Sequence, residues 1–222
     1  MHLLITAGGT REYIDPVRFI SNASSGKMGY ALTGAAQKAG HKVTLISASD
    51  LQPAVGVEFV GVDSAAEMFK AVKKFFPKCD CLIMAAAVSD YAPVKHSKAK
   101  IKRSGKSLTL KLKPTADILK WAGEQKKVKS KKGKGKRGKR QIVVGFALED
   151  KKLRERAEKK LQEKNLDMII ANTPSAIGAE RSTVQIKMPD SRWSKIEKVS
   201  KTTIARRIIV EVERIATKRS GR

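Results

Sequence analysis

Short apolar runs alternate along this chain with amphipathic stretches of helical period. Residues 3–6, 42–47, 81–87, 141–146 and 167–171 form the apolar runs and are predicted to be buried strands. Helices are predicted at residues 24–39, 65–76, 115–124, 149–163 and 202–217. Ser24 or Ser25 is expected to cap the first helix, and Gly40 to end it. This alternation indicates a mostly parallel sheet with helices on both faces.

Two further segments alternate with a period of two. Residues 98–113, around the turn Ser104-Gly105-Lys106, predict a β-hairpin with one apolar and one lysine-rich face. Residues 183–188 and 193–199 predict an antiparallel pair. The expected fold class is therefore α/β: a three-layer, Rossmann-like, mostly parallel sheet with a hairpin arm, in a single domain over residues 1–222.

The formal net charge of +26 changes this picture at one place. Residues 126–140 carry ten lysines and arginines, no acid and almost nothing apolar, which predicts a low-complexity insertion that cannot pack. Such a tract is either a solvated loop or an electrostatic tether to RNA, ribosomes or acidic lipid. The alternative function is therefore a nucleic-acid-binding Rossmann-like protein that uses this tract.

No apolar run approaches the length of a membrane helix, and the longest, residues 81–88, suits a buried strand. The N-terminus enters strand-like sequence directly, without the pattern of a secretory signal. We therefore expect a cytoplasmic protein with no membrane partner.

Two glycine-containing segments have the composition of phosphate sites. Gly8 and Gly9 follow the first strand, where a tight turn brings backbone N–H groups forward. Residues 18–29 (RFISNASSGKMG) place hydroxyl and N–H groups at a helix N-terminus, which favours an anion. The segment lacks the spacing of a Walker A loop. An ordinary strand exit and an ordinary helix cap remain the competing interpretations.

Two more segments lie at predicted carboxyl ends of strands, where open α/β sheets bind ligands. Residues 85–93 (AAAVSDYAP) combine small side chains with Asp90. Residues 144–147 (VGFA) end a later strand, and the helix after it carries Lys160 and Lys164 on one face, within reach of one triphosphate. Taken singly, the two lysines are also explained by a solvated helix face.

In this order, these segments resemble the phosphopantothenoylcysteine synthetase family, most closely its bacterial branch. The resemblance covers residues 3 to about 172 and rests on ITAGGTREYIDPVRFISNASSGKMGYAL, AAAVSDYAP, KIK, KPTADIL, VGFAL and KNLDMIIAN.

The resemblance implies a ligase of coenzyme A biosynthesis. In that family, 4′-phosphopantothenate attacks a nucleoside triphosphate to give an acyl-nucleotide and pyrophosphate, and L-cysteine then displaces the nucleoside monophosphate. It favours CTP over ATP and implies Mg²⁺ with the nucleotide, no flavin, metal ligands that stay unidentified, and a homodimer. Because the chain begins at the first strand of the synthetase, it resembles a stand-alone synthetase without the flavin decarboxylase half.

The resemblance also assigns residues. As catalytic residues it implies Asn22 and Lys160. The implied nucleotide-binding residues are Gly8, Gly9, Ser24, Gly26, Gly29, Phe146, Lys164 and Asn172. The implied substrate-binding residues are Arg18, Asn22, Ala86, Ala87 and Asp90, with Arg18 donated across the dimer interface. The hairpin arm matches the dimerisation region, whereas residues 148–150 and 126–140 depart from the family pattern.

Overall fold

A computed structural model describes residues 1–131 and 140–221. The strands are β1 (His2–Gly8), β2 (Arg11–Asp15), β3 (Arg18–Ser21), β4 (Lys42–Ala48), β5 (Glu58–Gly61), β6 (Cys81–Met84), β7 (Tyr91–Pro93), β8 (Leu112–Pro114), β9 (Ile142–Leu148), β10 (Met168–Asn172), β11 (Arg181–Lys187) and β12 (Ser194–Ser200). The helices are α1 (Lys27–Lys38), α2 (Ala65–Phe75), α3 (Ile118–Lys131), α4 (Leu153–Glu163) and α5 (Lys201–Ser220).

Eight of these strands form one sheet in the order β12-β11-β10-β9-β6-β1-β4-β5. The strands from β10 to β5 are parallel, and β11 and β12 add an antiparallel edge. From β1 the chain builds outward through β4 and β5, then returns to build the other side through β6, β9 and β10. This reversal between β1 and β6 is a topological switch point, where open α/β sheets bind ligands.

The helices cover both faces of the sheet, as the sequence predicts. Alternate residues of β1 face opposite ways, so Leu3 and Ile5 pack with α1 and α5, whereas Leu4 packs with the layer of α2, α3 and α4. The side chains of Leu3, Leu4 and Ile5 are fully buried. The predicted α/β fold class is confirmed.

The entry to α1 differs from the prediction. Gly26, with φ of +77°, is the N-cap residue, and no side chain in the described part of the chain caps the helix, so the predicted cap at Ser24 or Ser25 is wrong. The physical reason is the close approach of Ser49: a Cβ on Gly26 would lie 2.8 Å from that side chain. The chain therefore turns through a left-handed glycine rather than through a hydroxyl cap.

The predicted hairpin at residues 98–113 is also wrong. The structure pairs β8 with β7 instead, and residues 94–111 lie outside the strands. The apolar side chains Leu108 and Leu110 are exposed, so this segment has no core of its own to stabilise a hairpin. The hairpin formed by β2 and β3, and the strands β5 and β7, are not predicted by the sequence pattern.

The predicted insertion begins too early. Helix α3 continues to Lys131, and Lys126 is fully buried with its Nζ 2.7 Å from Oδ2 of Asp167. Burial lowers the pKa of Lys126 to about 8, and the ion pair with Asp167 opposes this shift. Arg219 also donates to Asp167 and to the carbonyl oxygen of Gln141, so this network lies beside the return of the chain into β9. The rest of the predicted tract, residues 132–139, lies outside the described residues.

None of the helices in the described ranges is long and apolar enough to span a bilayer.

Candidate active site

A cleft of about 580 Å³ opens beside the switch point. Its floor is the end of β6 and the turn after it, residues 84–88, and its walls include the entry to α1 and the carboxyl ends of β9 and β10. A second cleft of about 560 Å³, at the ends of β4 and β5, contains none of the predicted site residues, and the ion pair of Arg11 with Asp50 at 2.5 Å lies in its wall. The first cleft is therefore the candidate active site.

Most of the predicted site residues meet in this cleft although they come from distant parts of the chain. Those that line it are Asn22, Ser24, Gly26, Ala86, Ala87, Asp90, Phe146, Lys160, Lys164 and Asn172. Those that do not line it are Gly8, Gly9, Gly29 and Arg18. The parallel sheet explains the convergence, because the carboxyl ends of its strands share one edge.

The glycines outside the cleft lining shape its wall. A Cβ on Gly29 would lie 2.5 Å from the Cβ of Ala7, so α1 approaches β1 more closely than any side chain allows. A Cβ on Gly9 would lie 2.6 Å from the carbonyl oxygen of Asn22. These glycines hold α1 and the Asn22 segment against the end of β1.

Arg18 lies apart from the cleft of its own chain. Its Nη1 is 2.5 Å from Oδ2 of Asp15 and donates to the carbonyl oxygen of Ile101 at 3.1 Å. Backbone N–H groups, including those of Val17 and Ile101, lower the pKa of the buried Asp15 carboxyl although burial opposes the shift. The role of Arg18 at a neighbouring subunit's site stays a prediction.

Asn22 is held by two carbonyl groups on the cleft floor. Its Nδ2 donates to the carbonyl oxygens of Ala87 at 3.1 Å and Val88 at 3.2 Å. Two carbonyl acceptors fix which end of the amide carries the nitrogen. Both amide hydrogens are thereby used, so Oδ1 is the atom that Asn22 offers as an acceptor to a bound molecule.

Lys160 brings an ammonium group to the cleft from α4. Its Nζ donates to the carbonyl oxygen of Phe146 at 2.8 Å, and within the described ranges no carboxylate forms an ion pair with it. Burial lowers the pKa of Lys160, repulsion from Lys164 lowers it further, and carboxylates of the cleft oppose the shift. A desolvated cation without a carboxylate partner is suited to bind an anionic ligand.

Lys164 differs from Lys160 because it already has an anionic partner. Its Nζ lies 2.8 Å from Oδ2 of Asp117 at the entry to α3. Burial raises the pKa of Asp117, but hydrogen bonds from Lys164 and from the backbone N–H of Lys120 outweigh this and lower it. Both lysines therefore line the cleft, Lys160 from the last turn of α4 and Lys164 from its C-cap, but of the two only Lys160 lacks a carboxylate partner among the described residues.

Several lining residues are missed by the residue-level predictions. They include Lys27, Thr115, Asp117, Ser182 and Lys201. Thr115 donates its hydroxyl to the carbonyl oxygen of Ser89 at 2.6 Å, which fixes the segment 115–117 beside Asp90. KPTADIL, one of the segments that carry the family resemblance, is the signal for this wall, whereas no local pattern marks Ser182 or Lys201.

The site offers few protein ligands for a metal ion. The described residues contain no cluster of three or more His, Cys, Asp or Glu side chains that could hold one. Asp90 and Asp117 both line the cleft, and Asp117 is paired with Lys164. This donor set fits Mg²⁺ only as an ion held mainly by phosphate oxygens and water, which is how Mg²⁺ commonly accompanies nucleotides.

Comparison with known proteins identifies the family of this chain. The model of the DNA/pantothenate metabolism flavoprotein C-terminal domain family matches residues 1–215. The coenzyme A biosynthesis bifunctional protein CoaBC of Bacillus subtilis is 42% identical over 217 residues, which cover 95% of this chain and 50% of that protein. The chain thus spans about half the length of the curated relatives that it matches.

Two solved structures share the fold. The crystal structure of the C-terminal domain of coenzyme A biosynthesis bifunctional protein CoaBC superposes with a TM-score of 0.80 at 35% identity, covering 98% of this chain and 96% of that one. A Cab2 mutant in complex with phosphopantothenate-cysteine superposes with a TM-score of 0.79 at 18% identity, covering 98% and 86%. The family match over 1–215 and the first of these structures show that this chain belongs to the DNA/pantothenate metabolism flavoprotein C-terminal domain family.

Proposed function

We propose that this protein is a phosphopantothenate–cysteine ligase that forms 4′-phosphopantothenoylcysteine through an acyl-nucleotide. The observation that carries the proposal is Lys160, a desolvated cation in a cleft whose floor is ordered by Asn22. The proposal is also supported by membership of a pantothenate-metabolism family and by relatives named for coenzyme A biosynthesis.

In the first step, a carboxylate oxygen of 4′-phosphopantothenate forms a bond to the α-phosphorus of the nucleotide, and the bond to the pyrophosphate oxygen breaks. Negative charge builds on the phosphoryl oxygens and on the leaving group. In this proposal the partly buried ammonium group of Lys160 stabilises this charge, because a cation held in the site before the reaction acts more strongly than one in bulk water. Removing one such donor from an active site typically lowers the rate by about 100-fold to 1,000-fold.

In the second step, the amine of L-cysteine forms a bond to the acyl carbon, the nucleoside monophosphate leaves, and the amine loses a proton. Dividing the condensation in this way replaces a poor electrophile with an activated one. Asn22 is the residue suited to orient this complex, because its two amide hydrogens are held by the floor and its Oδ1 remains as an acceptor. An N–H group of the acyl chain or of cysteine is the matching donor.

The nucleotide proposed is CTP in preference to ATP, on the resemblance of the motifs to the bacterial branch. Mg²⁺ would accompany the triphosphate, with Asp90 as the lining carboxylate that no ion pair in the described ranges occupies. The bound Mg²⁺ would neutralise negative charge on the phosphate oxygens.

The proposed assembly is a homodimer formed through the segment around β7 and β8. Apolar side chains are exposed there, namely Tyr91, Val94, Leu108, Leu110 and Leu112. Val17 and Phe19 of the β2–β3 hairpin are exposed as well, and β2 packs near β7. Sedimentation of Leu108→Glu beside the parent protein tests this: a charged side chain in the interface is expected to produce monomers.

The test of the chemistry is to trap the intermediate. Incubation of the protein with 4′-phosphopantothenate, CTP and Mg²⁺, without cysteine, is expected to yield a mass equal to the acyl-nucleotide. Addition of cysteine should convert that species to 4′-phosphopantothenoylcysteine and CMP. Formation of CDP and orthophosphate instead would assign attack to a different phosphorus and contradict the proposed first step.

A further inference from the structure

Two lysines from opposite ends of the chain line the cleft, and the steps proposed above give neither of them a role. Lys27 is the first residue of α1, and Lys201 is the first residue of α5. Both line the cleft, and the two helices pack side by side on one face of the sheet. Burial lowers the pKa of Lys201, and repulsion from Lys27 lowers it further.

The first turns of these helices leave this positive charge uncompensated. Neither contains an acidic residue, and within the described ranges neither Lys27 nor Lys201 forms an ion pair. Each helix N-terminus adds the equivalent of roughly half a positive charge. Stability alone favours acidic residues at these positions, so a pair of lysines there has a cost that a bound anion would remove.

A third polar group lines the same cleft. Ser182 of β11 is only 7% exposed and lines the cleft, yet no described group forms a hydrogen bond with its hydroxyl. The register of β11 with β12 sets Ser182 opposite Val199, two residues before Lys201. Lys201 donates to the carbonyl oxygen of Ala179, which uses one of its three hydrogens and leaves two for a ligand.

We infer that Lys27, Lys201 and Ser182 form the subsite for the β- and γ-phosphates of the nucleotide, and so hold pyrophosphate as it leaves. The inference rests on the proposed function for the identity of the ligand. Two ammonium groups, a hydroxyl and two helix N-termini complement a compact anion with several charges. Lys160 lies on α4, on the other face of the sheet, which separates stabilisation of the α-phosphate from capture of the leaving group.

The test is calorimetric titration with inorganic pyrophosphate and Mg²⁺ at one fixed ionic strength. Lys27→Gln, Lys201→Gln and Ser182→Ala are each expected to weaken pyrophosphate binding, the lysine variants by about tenfold. Lys201→Arg should keep most of the affinity. Lys218→Gln, in the exposed last turn of α5, removes the same charge away from the cleft and should bind as the parent protein does.

Equal affinities in Lys27→Gln, Lys201→Gln and Lys218→Gln would overturn the inference. A change at Lys201 could disturb the loop around Ala179, to which Lys201 donates a hydrogen bond. Lys27 is exposed, so Lys27→Gln tests the subsite without that complication. If the protein is an active ligase but these substitutions leave its affinity for pyrophosphate unchanged, the subsite is refuted and the proposed function is not. Pyrophosphate binding that depends on them in a protein without turnover would refute the proposed function alone.

Discussion

The positive charge of Lys160 lowers the stability of the folded protein, although the proposed chemistry needs that charge. Because burial lowers its pKa, the folded state binds this proton less tightly than the unfolded chain does. The charged lysine therefore costs stability at neutral pH. As pH rises from the lowered pKa toward the ordinary value of 10.5, the unfolded state binds more protons and this cost disappears. Loss of the ammonium over the same window should lower turnover.

We predict that Lys160→Gln lowers acyl-nucleotide formation by at least about 100-fold, because a preorganised cation is lost. Its melting temperature at neutral pH should equal or exceed that of the parent protein. Lys159→Gln is the control, since Lys159 is the neighbouring, exposed residue of α4 and, among the described residues, its ion pair is with Glu163 at 3.8 Å. If Lys160→Gln and Lys159→Gln lost the same amount of activity, Lys160 would have no specific role in acyl-nucleotide formation.

Asn22 is expected to act after the intermediate has formed. In Asn22→Asp a carboxylate would face the carbonyl oxygens of Ala87 and Val88, so the floor would no longer hold it. The acyl-nucleotide should accumulate while its conversion by cysteine slows by about 100-fold, as measured by rapid quench and mass spectrometry.

The control for this change is Asn165→Asp, at an asparagine whose Nδ2 donates to the carbonyl oxygen of Gly123 outside the cleft. Parent-like kinetics are expected there. Wild-type rates in both Asn22→Asp and Lys160→Gln would mean that the site is misplaced.

At the scale of elements, the cleft depends on how closely α1 approaches β1. Gly29 and Gly34 belong to the same helix, but a Cβ on Gly29 would meet Ala7 at 2.5 Å, whereas nothing lies within 4 Å of one on Gly34. The closeness of this contact, rather than a direct contact with the cleft, accounts for Gly29 in the motif.

We therefore predict opposite effects of one substitution in the same helix. Gly29→Ala should lower the free energy of unfolding by roughly 1–3 kcal/mol through overpacking. Gly34→Ala should raise it by about 0.5–1 kcal/mol, since alanine restricts the unfolded chain without a clash. Denaturant unfolding of both variants measures these changes in the free energy of unfolding. A Gly29→Ala protein as stable as the parent would contradict the described packing.

Helix α3 also determines which part of the basic tract is available for a separate role. Since Lys126 is buried against Asp167, its charge serves the fold. The segment tested as a separate electrostatic tract is therefore the part beyond α3. Replacing the basic residues Lys132, Lys134, Lys136, Arg137 and Lys139 with serine keeps the length of the segment. Ligase turnover should stay unchanged, while RNA affinity and its salt dependence should fall.

A matched change inside the network should behave differently. Asp167→Asn leaves Lys126 buried without its carboxylate, which should cost roughly 3–5 kcal/mol of stability. Loss of turnover in the serine-substituted protein at full stability would show that the tract belongs to the catalytic machinery.

For the whole molecule, the sequence predicts the sheet, its layers and most of the cleft. Asn22, Ala87 and Lys160 are assigned to one site by the family resemblance, and the parallel sheet explains why they line one cleft. The misses are non-local. The burial of Lys126 depends on Asp167, 41 residues away, and the placement of Lys27 and Lys201 in one cleft depends on packing between the first and last helices. The segment 98–113 alternates like a hairpin but lacks a covering surface in its own chain.

The central claim, that this cleft activates a carboxylate with a nucleotide, is tested most directly by pyrophosphate release. The assay contains 4′-phosphopantothenate, Mg²⁺ and either CTP or ATP, with and without L-cysteine. Without cysteine, the account predicts that pyrophosphate release stops after about one equivalent per active site. With cysteine, release should continue, and it should be faster with CTP than with ATP. No pyrophosphate with either nucleotide, in a folded protein, would contradict it.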